Sequence, residues 1–268
     1  MARDLPWAGA SPWGVLVSEV MLQQTPVSRV RRYWGPFTTR FPAPVDLAGA
    51  SVAEVLGLWR GLGYPRRALR LIESARAIVE IHDGEVPRTP EDLLRLPGVG
   101  IYTASAVASF AFGRSVPVID TNVGRVLARA LAGRSLSARD ARALAERLLP
   151  ERGVAPFNQS LLDLGAQWCR PHPLCESCPV RRVCAWRGVG GDDPARGSAY
   201  VSRAQAPYAG SERERRGLVL RHLGPGATAL SALESRTGLT RGDLERVVDS
   251  LVTEGFCGRA GEKVTWAS

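Results

Sequence analysis

Three features of the 268-residue sequence predict an all-α core followed by a small, separately organised tail. Apolar residues recur at three- and four-residue spacing along most of the chain, and convincing period-two runs are nearly absent. A stretch rich in Gly, Asp, Pro and Ser around 191–210 then reads as a linker between a core at 1–190 and a tail at 211–268. With 45% apolar and 23% charged residues the composition is globular, which excludes a disordered or collagen-like chain. No run approaches the roughly 18–20 apolar residues that a bilayer crossing needs. The start of the chain carries no signal-peptide core, so a cytoplasmic protein with no membrane association is expected.

The first helix opens at Ser11, a helix-capping residue, with Pro12 at its first position. It runs apolar on nearly every side, a pattern that predicts burial, yet Glu19 sits in its middle. Either Glu19 pairs with one of the many arginines, or apolar surroundings raise its pKa until it can act as a general acid near neutrality. Gln23, Gln24 and Thr25 follow as a polar fringe.

Helices are predicted over 45–60, 66–82 and 90–96, the last capped by Thr89. It runs into Pro97-Gly98-Val99-Gly100 and then into a helix over 102–112 rich in small residues. Two helices joined through such a turn make a helix-hairpin-helix pattern, whose amides and helix N-terminus suit one DNA phosphate. A plain pair of helices is the alternative. After the apolar run Val116 to Ile119, Asp120 opens a helix over 123–132. Capping is one role for it; a carboxylate held by helix amides also stays ionised and can face a developing cation. Helices over 138–149 and 158–168 follow.

Four of the five cysteines, Cys169, Cys175, Cys178 and Cys184, lie close together with gaps of five, two and five residues. In a reducing compartment this points to metal rather than disulfides, and leaves Cys257 as a lone thiol. Zinc and an iron–sulfur cluster both accept four thiolates, so spacing leaves both open. The tail shows helical patterns over 212–222, 230–237 and 241–254, with Thr240 and Asp243 as a capping box, and then a possible hairpin over 256–266. Three helices and a β-wing predict a winged-helix-like module.

A net charge of +9 and a pI near 10 suggest a polyanionic partner. The tail, with nine basic and eight acidic side chains, contributes only +1, so the polyanion surface is expected in the core. Among the 35 basic residues Lys263 is the one lysine, which removes any amine nucleophile from the core.

Taken in order, these motifs resemble the helix-hairpin-helix superfamily of base-excision DNA glycosylases. Ser18-Glu19-Val20-Met21-Leu22-Gln23-Gln24-Thr25, Gly61-Leu62-Gly63-Tyr64 and Leu96-Pro97-Gly98-Val99-Gly100 look like the adenine DNA glycosylases of the MutY type. The resemblance covers about residues 3–187. It implies a two-lobed fold, with a six-helix lobe at about 26–128 and a cluster lobe made of 1–25 and 129–190. It further implies removal of adenine mispaired with 8-oxoguanine or guanine from double-stranded DNA, by a monomer associated with the nucleoid. Glu19 would protonate the base, and Asp120 would stabilise or trap the sugar cation, with Asn122 positioning groups around it. Tyr64 would wedge into the base stack, and Leu22, Gln23, Gln24 and Thr25 would lie near the opposing base. Gly98, Val99 and Gly100 would meet phosphate, and the four cysteines would hold a [4Fe–4S] cluster.

Tyr102 stands where strand-cleaving relatives carry a Schiff-base lysine, which implies a monofunctional enzyme. The sequence departs from the family in its five-residue first cysteine gap, in Pro65 where a second aromatic is common, and in a tail too short for the usual large C-terminal domain. The competing functions are a mismatch glycosylase releasing thymine or uracil, and a non-catalytic DNA-binding iron–sulfur protein.

Overall fold

The computed structural model describes residues 3–201, 208–224 and 226–267, and these are mostly helical. They group into two compact units. One takes in the described residues of Met1–Glu19, Pro87–Arg95 and Val99–Ala204, the other those of Val20–Val86, Leu96–Gly98 and Gln205–Ser268. This grouping puts 99–128 with the cysteine-bearing segment, whereas the sequence grouping sets 26–128 together. Among the described residues no helix is long and apolar enough to cross a membrane.

In the first unit the helix Ile101–Phe112 turns a run of small residues inward, from Thr103 to Ser109, all buried. Small side chains let neighbouring elements approach closely, and Ala106 packs with Val123, Leu127 and Leu162 in the unit's core. The predicted helix over 123–132 begins at Thr121 and changes character partway. Thr121–Val126 is α-helical, and Leu127–Ala132 widens to π geometry before Gly133 ends it. The helix Val154–Gln167 begins earlier than its apolar pattern suggests, because Pro156 is tolerated in a first turn, where its missing N–H has no helical acceptor anyway. Its Asn158 is fully buried, donating to Val116 O and Ser109 Oγ at 2.9 Å each and accepting from Val118 N at 3.3 Å. These bonds fix the extended segment that delivers Asp120.

The second unit contains a helix that the apolar period does not predict, Val27–Arg40. Four arginines dilute its pattern and Pro36 interrupts it, so only Val30 and Phe37 are buried. Phe37 makes edge contacts with Phe41 and Trp59 at centroid distances of 5.1 and 5.7 Å, and this aromatic cluster anchors the helix. The single helix predicted over 45–60 is two, Pro44–Ala48 and Val52–Trp59. Ser51 restarts the chain as an N-cap, its Oγ accepting from Glu54 N at 3.3 Å.

The tail helices Glu212–His222, Leu230–Thr237 and Arg241–Thr253 lie where the sequence puts them, and Thr240 Oγ1 accepts from Asp243 N at 3.3 Å. Strands Cys257–Ala260 and Lys263–Trp266 pair antiparallel. A third strand that sequence does not reveal, Thr228–Ala229, pairs on the free side of Lys263–Trp266. Leu230, Leu244, Val248, Leu251, Phe256 and Val264 are all completely buried, so the tail has an apolar core of its own.

The hairpin turn shows why its glycine is needed. Gly98 has φ +77°, and a Cβ there would come within 2.6 Å of Arg70 Cβ. Ser74 Oγ donates to the neighbouring Pro97 O at 2.6 Å, which fixes the turn in that close approach. Gly100 has neither constraint. Replacing Gly98 by Ala should therefore combine left-handed strain with overpacking, about 2–4 kcal/mol. Gly100→Ala should stay within about 1 kcal/mol. Denaturant unfolding of the two variants checks this, and equal destabilisation would contradict it.

Candidate active site

Glu19 is 4% exposed. Burial pushes its carboxyl from the ordinary 4.5 to about 7; a hydrogen bond with Tyr102 opposes the rise and the charge of Asp120 reinforces it. Among the described residues Oε2 of Glu19 has no hydrogen-bond partner. The Tyr102 hydroxyl is itself pushed well above its usual range, first by burial and then by the two carboxylates. It therefore keeps its proton and donates it toward Glu19. The structure thus brings together three of the residues singled out from sequence, and among the described residues Glu19 forms no ion pair with an arginine.

Asp120 is the N-cap of Thr121–Val126. Its Oδ1 accepts from Val123 N at 2.8 Å and its Oδ2 from Asn122 Nδ2 at 2.5 Å. These bonds lower its pKa, as a helix cap should, but burial outweighs them and the net shift is upward. Asn122 joins the group because Arg125 orients it. Arg125 Nη2 donates to Asn122 Oδ1 at 2.6 Å, which leaves the amide nitrogen to face Asp120. The same guanidinium donates from Nε to Cys169 O at 2.7 Å and from Nη2 to Gly165 O at 3.2 Å. Position 165 must lack a side chain, since a Cβ would come within 2.5 Å of Asn122 O.

Cys169, Cys175, Cys178 and Cys184 line one pocket, with Leu164, Trp168 and Trp186 as apolar neighbours. Among the described residues no three His, Cys, Asp or Glu side chains are gathered tightly enough for a single metal ion. The pocket is braced by Arg129, 2% exposed, which makes a two-point ion pair with Asp193 at 2.8 and 2.6 Å. Arg129 also donates to Arg170 O and Pro171 O, lies 3.6 Å from Cys169 Sγ, and stacks at 5.5 Å on the Trp186 ring.

In the second unit, Gln23 Nε2 donates to Gly98 O at 3.3 Å, which joins the polar fringe to the hairpin turn. Gln24 is exposed, and both Gln24 and Tyr64 hold left-handed backbone, with φ of 56° and 48°. Non-glycine residues in that region are strained, and such strain collects at functional sites. Leu22 is half-buried, and Gly98 and Gly100 are exposed. Thr25 is buried, as is Val99 of the first unit.

One side chain organises these loops. Arg67, 9% exposed, donates from Nη1 to Val20 O, Met21 O and Gln23 O at 2.9, 2.7 and 2.6 Å. From Nη2 it donates to Thr25 Oγ1 and Gly63 O, both at 2.9 Å. Burial lowers its pKa to about 10, so it remains a cation at neutral pH. Sequence reasoning does not find Arg67, Arg125 or Arg129. In a chain this rich in arginine, nothing distinguishes the buried few from the solvated majority.

Residues 17–151 match the family of HhH-GPD superfamily base excision DNA repair proteins. The chain is 43% identical over 271 residues to an adenine DNA glycosylase of Mycolicibacterium smegmatis, covering 95% of this chain and 87% of that one. It is 49% identical over 231 residues to an adenine DNA glycosylase of Mycobacterium tuberculosis, covering 81% and 73%. Among solved structures, a thermostable thymine-DNA glycosylase matches with a TM-score of 0.64 at 30% identity, over 70% of this chain and 90% of that one.

Glu19 also carries a stability cost with a defined pH window. Between about 4.5, its ordinary value, and about 7, the folded state holds a proton that the unfolded chain has released. Stability from this group is therefore complete below that window and lost as pH rises through it, by about 3 kcal/mol in all. Glu19→Gln keeps the neutral form at every pH. It should raise the melting temperature at pH 8 and lose that advantage towards pH 5, as read by thermal unfolding across pH.

Proposed function

Because the chain belongs to the HhH-GPD superfamily of base excision DNA repair proteins, and within it to the adenine DNA glycosylases, we propose that it hydrolyses the N-glycosidic bond of adenine mispaired with 8-oxoguanine or guanine. The observation that carries this reading is the asymmetry of two neighbouring carboxyls. Burial pushes Glu19 to about 7, so part of the population still carries the proton at neutrality, and among the described residues its Oε2 has no partner. Asp120 has both oxygens occupied by N–H donors, which favour its ionised form over a protonated one. One acid and one base side by side is the division of labour that cutting a glycosidic bond requires.

The adenine must leave the base stack before its glycosidic bond can be reached. Glu19 passes its proton to a ring nitrogen of the extruded adenine, with Tyr102 holding the carboxyl in place, and the C–N bond pair departs with the base. Asp120 faces the positive charge left on the sugar, stabilising it or closing on it as a covalent ester. Water then adds at the sugar carbon and gives up a proton, leaving an abasic site. Tyr102 has no amine to form a Schiff base, so the strand stays intact. Tyr64 serves as the wedge, while Leu22, Gln23, Gln24 and Thr25 lie beside the opposing base. The amides at Gly98 to Gly100 meet a phosphate of double-stranded DNA.

The four cysteines line one pocket and would hold a [4Fe–4S] cluster through their thiolates, as the resemblance implies. The cluster would supply structure rather than turnover chemistry. Arg125 and Arg129 would pass that order on, since Arg125 grips both the carbonyl of Cys169 and the amide of Asn122. The tail is a winged-helix-like module, and the enzyme works in the cytoplasm at the nucleoid.

Single-turnover release from duplexes carrying A opposite 8-oxoguanine, A opposite G and T opposite G tests the activity. Adenine release is expected, with no borohydride-trapped adduct and no nicking before alkali. Glu19→Gln should slow release by about 10²–10⁴-fold with duplex affinity retained. Thymine release alone, or an unaffected Glu19→Gln rate, would refute the assignment. For the cluster, the purified protein should be brown, with iron and acid-labile sulfide in equal amounts. One equivalent of zinc in place of iron would exclude it.

A further inference from the structure

Much of the tail's positive charge is already neutralised by its own acids. Arg241 is paired with Glu262 at 2.6 Å, Arg259 with Asp249 at 2.9 Å, and Arg246 with Asp243. A cation already matched by a carboxylate offers little to a DNA backbone, which is bound through unneutralised positive charge. Arg213, in the first tail helix, reaches elsewhere. Its Nη1 donates to the Tyr64 hydroxyl at 2.8 Å, and its guanidinium lies 5.9 Å from the centre of the Tyr64 ring. A second tie joins the same region. Glu254 is gripped by Arg216 at 2.5 and 2.9 Å and lies 3.7 Å from Arg66, two residues beyond Tyr64.

Tyr64 is a residue that needs such support. Its backbone is left-handed, with φ of 48°, a conformation that a bulky L residue holds only when its surroundings impose it. The Arg67 guanidinium lies 5.4 Å from its ring, and Arg213 adds the hydrogen bond to the phenol oxygen. We propose that the C-terminal module works as a clamp on Tyr64. Arg213 is the positioning residue that holds this side chain ready for insertion into the base stack, so the module promotes base extrusion without binding phosphate itself. The proposal rests on the glycosylase reading above, since a wedge has a purpose only where a base must leave the helix.

The test uses the full chain with Arg213→Ala, Arg213→Lys, Tyr64→Phe, Tyr64→Ala and the Arg213→Ala/Tyr64→Ala pair. Two readouts are taken on a duplex with adenine opposite 8-oxoguanine: single-turnover adenine release at saturating protein, and the fluorescence of 2-aminopurine placed beside the mismatched adenine, which rises on unstacking. Arg213→Ala should slow release about tenfold and reduce the fluorescence rise, with an unchanged melting temperature. Arg213→Lys should recover part of both, because an ammonium can still donate to the phenol. Tyr64→Phe, which removes only the hydroxyl, should reproduce part of the loss. In the Tyr64→Ala background, Arg213→Ala should add nothing. Independent, multiplicative effects of the two substitutions would overturn the clamp. So would a fall of about one in the salt slope of duplex binding for Arg213→Ala, which would mark a direct phosphate contact. Failure of the wild-type protein to release adenine would fault the glycosylase reading, while the fluorescence measurement would still report separately whether Arg213 acts through Tyr64.

Discussion

The loops of the second unit depend on one buried cation. Arg67 has no carboxylate among its hydrogen-bond partners; its donors end on carbonyls at the C-terminal end of the helix Pro12–Leu22, on the Thr25 hydroxyl and on the turn at Leu62 and Gly63. Taking a lone cation out of water costs several kcal/mol. A helix C-terminus carries partial negative charge and unsatisfied carbonyls, so this is one of the few places where such a cation is offset without a counter-ion. Hydrogen bonds to a charged donor contribute about 1.5–3 kcal/mol each. The result is that two segments more than thirty-five residues apart in sequence, 20–25 and 62–64, are held by a single planar group. The strained backbone at Gln24 and Tyr64 is adjacent to those anchors, and the anchors hold it there.

The first unit solves a different problem, which is to keep two acidic groups close together without making them equivalent. Like charges a few ångströms apart in a buried place cannot both be ionised cheaply. Here the difference comes from what each carboxyl touches. Asp120 sits at a helix start and collects a backbone amide and an amide side chain, whereas Glu19 lies mid-helix, where every backbone N–H is already committed, and receives only the Tyr102 hydroxyl. Glu19 therefore holds a proton to a higher pH than a solvated carboxyl does. This arrangement costs stability above neutral pH, the kind of local penalty that catalytic sites carry and that surrounding packing must offset.

Much of this was readable from sequence because it depends on local rules. Ser11, Thr89 and Thr240 cap their helices through the bonds that their positions predict, and the tail helices begin and end where the apolar period says. The misses have physical causes. Val27–Arg40 is invisible to periodicity because a helix with two buried side chains leaves almost no apolar stripe, and it is anchored by an aromatic cluster with Phe41 just past its end and Trp59 of the helix Val52–Trp59. The break between Pro44–Ala48 and Val52–Trp59 turns on one serine capping where the apolar pattern continues. The carboxyls and the cysteines could be picked out by residue type and setting. Arg67, Arg125 and Arg129 could not, since their roles come from which carbonyls happen to converge on them in space.

The abundance of arginine takes on a definite meaning once each is followed to its partner. In the tail, Arg215, Arg216, Arg241, Arg246 and Arg259 are paired with acids of the same module, which leaves it little net field. In the other segments a few are buried as structural cations, each with several donors aimed at backbone carbonyls, a task suited to a guanidinium and not to a single ammonium on a flexible stem. The same fork that lets Arg125 hold Asn122 with one nitrogen and Cys169 O with another links the aspartate to the cysteine pocket. A lysine's three donors radiate from one nitrogen, so it could not span partners that lie on different edges of the guanidinium fork. The near absence of lysine therefore has two separate consequences. No lysine amine is available in the core for covalent attack on a sugar, so the proposed reaction rests on proton transfer and charge stabilisation, and the buried cations that organise the loops all present planar forks of donors.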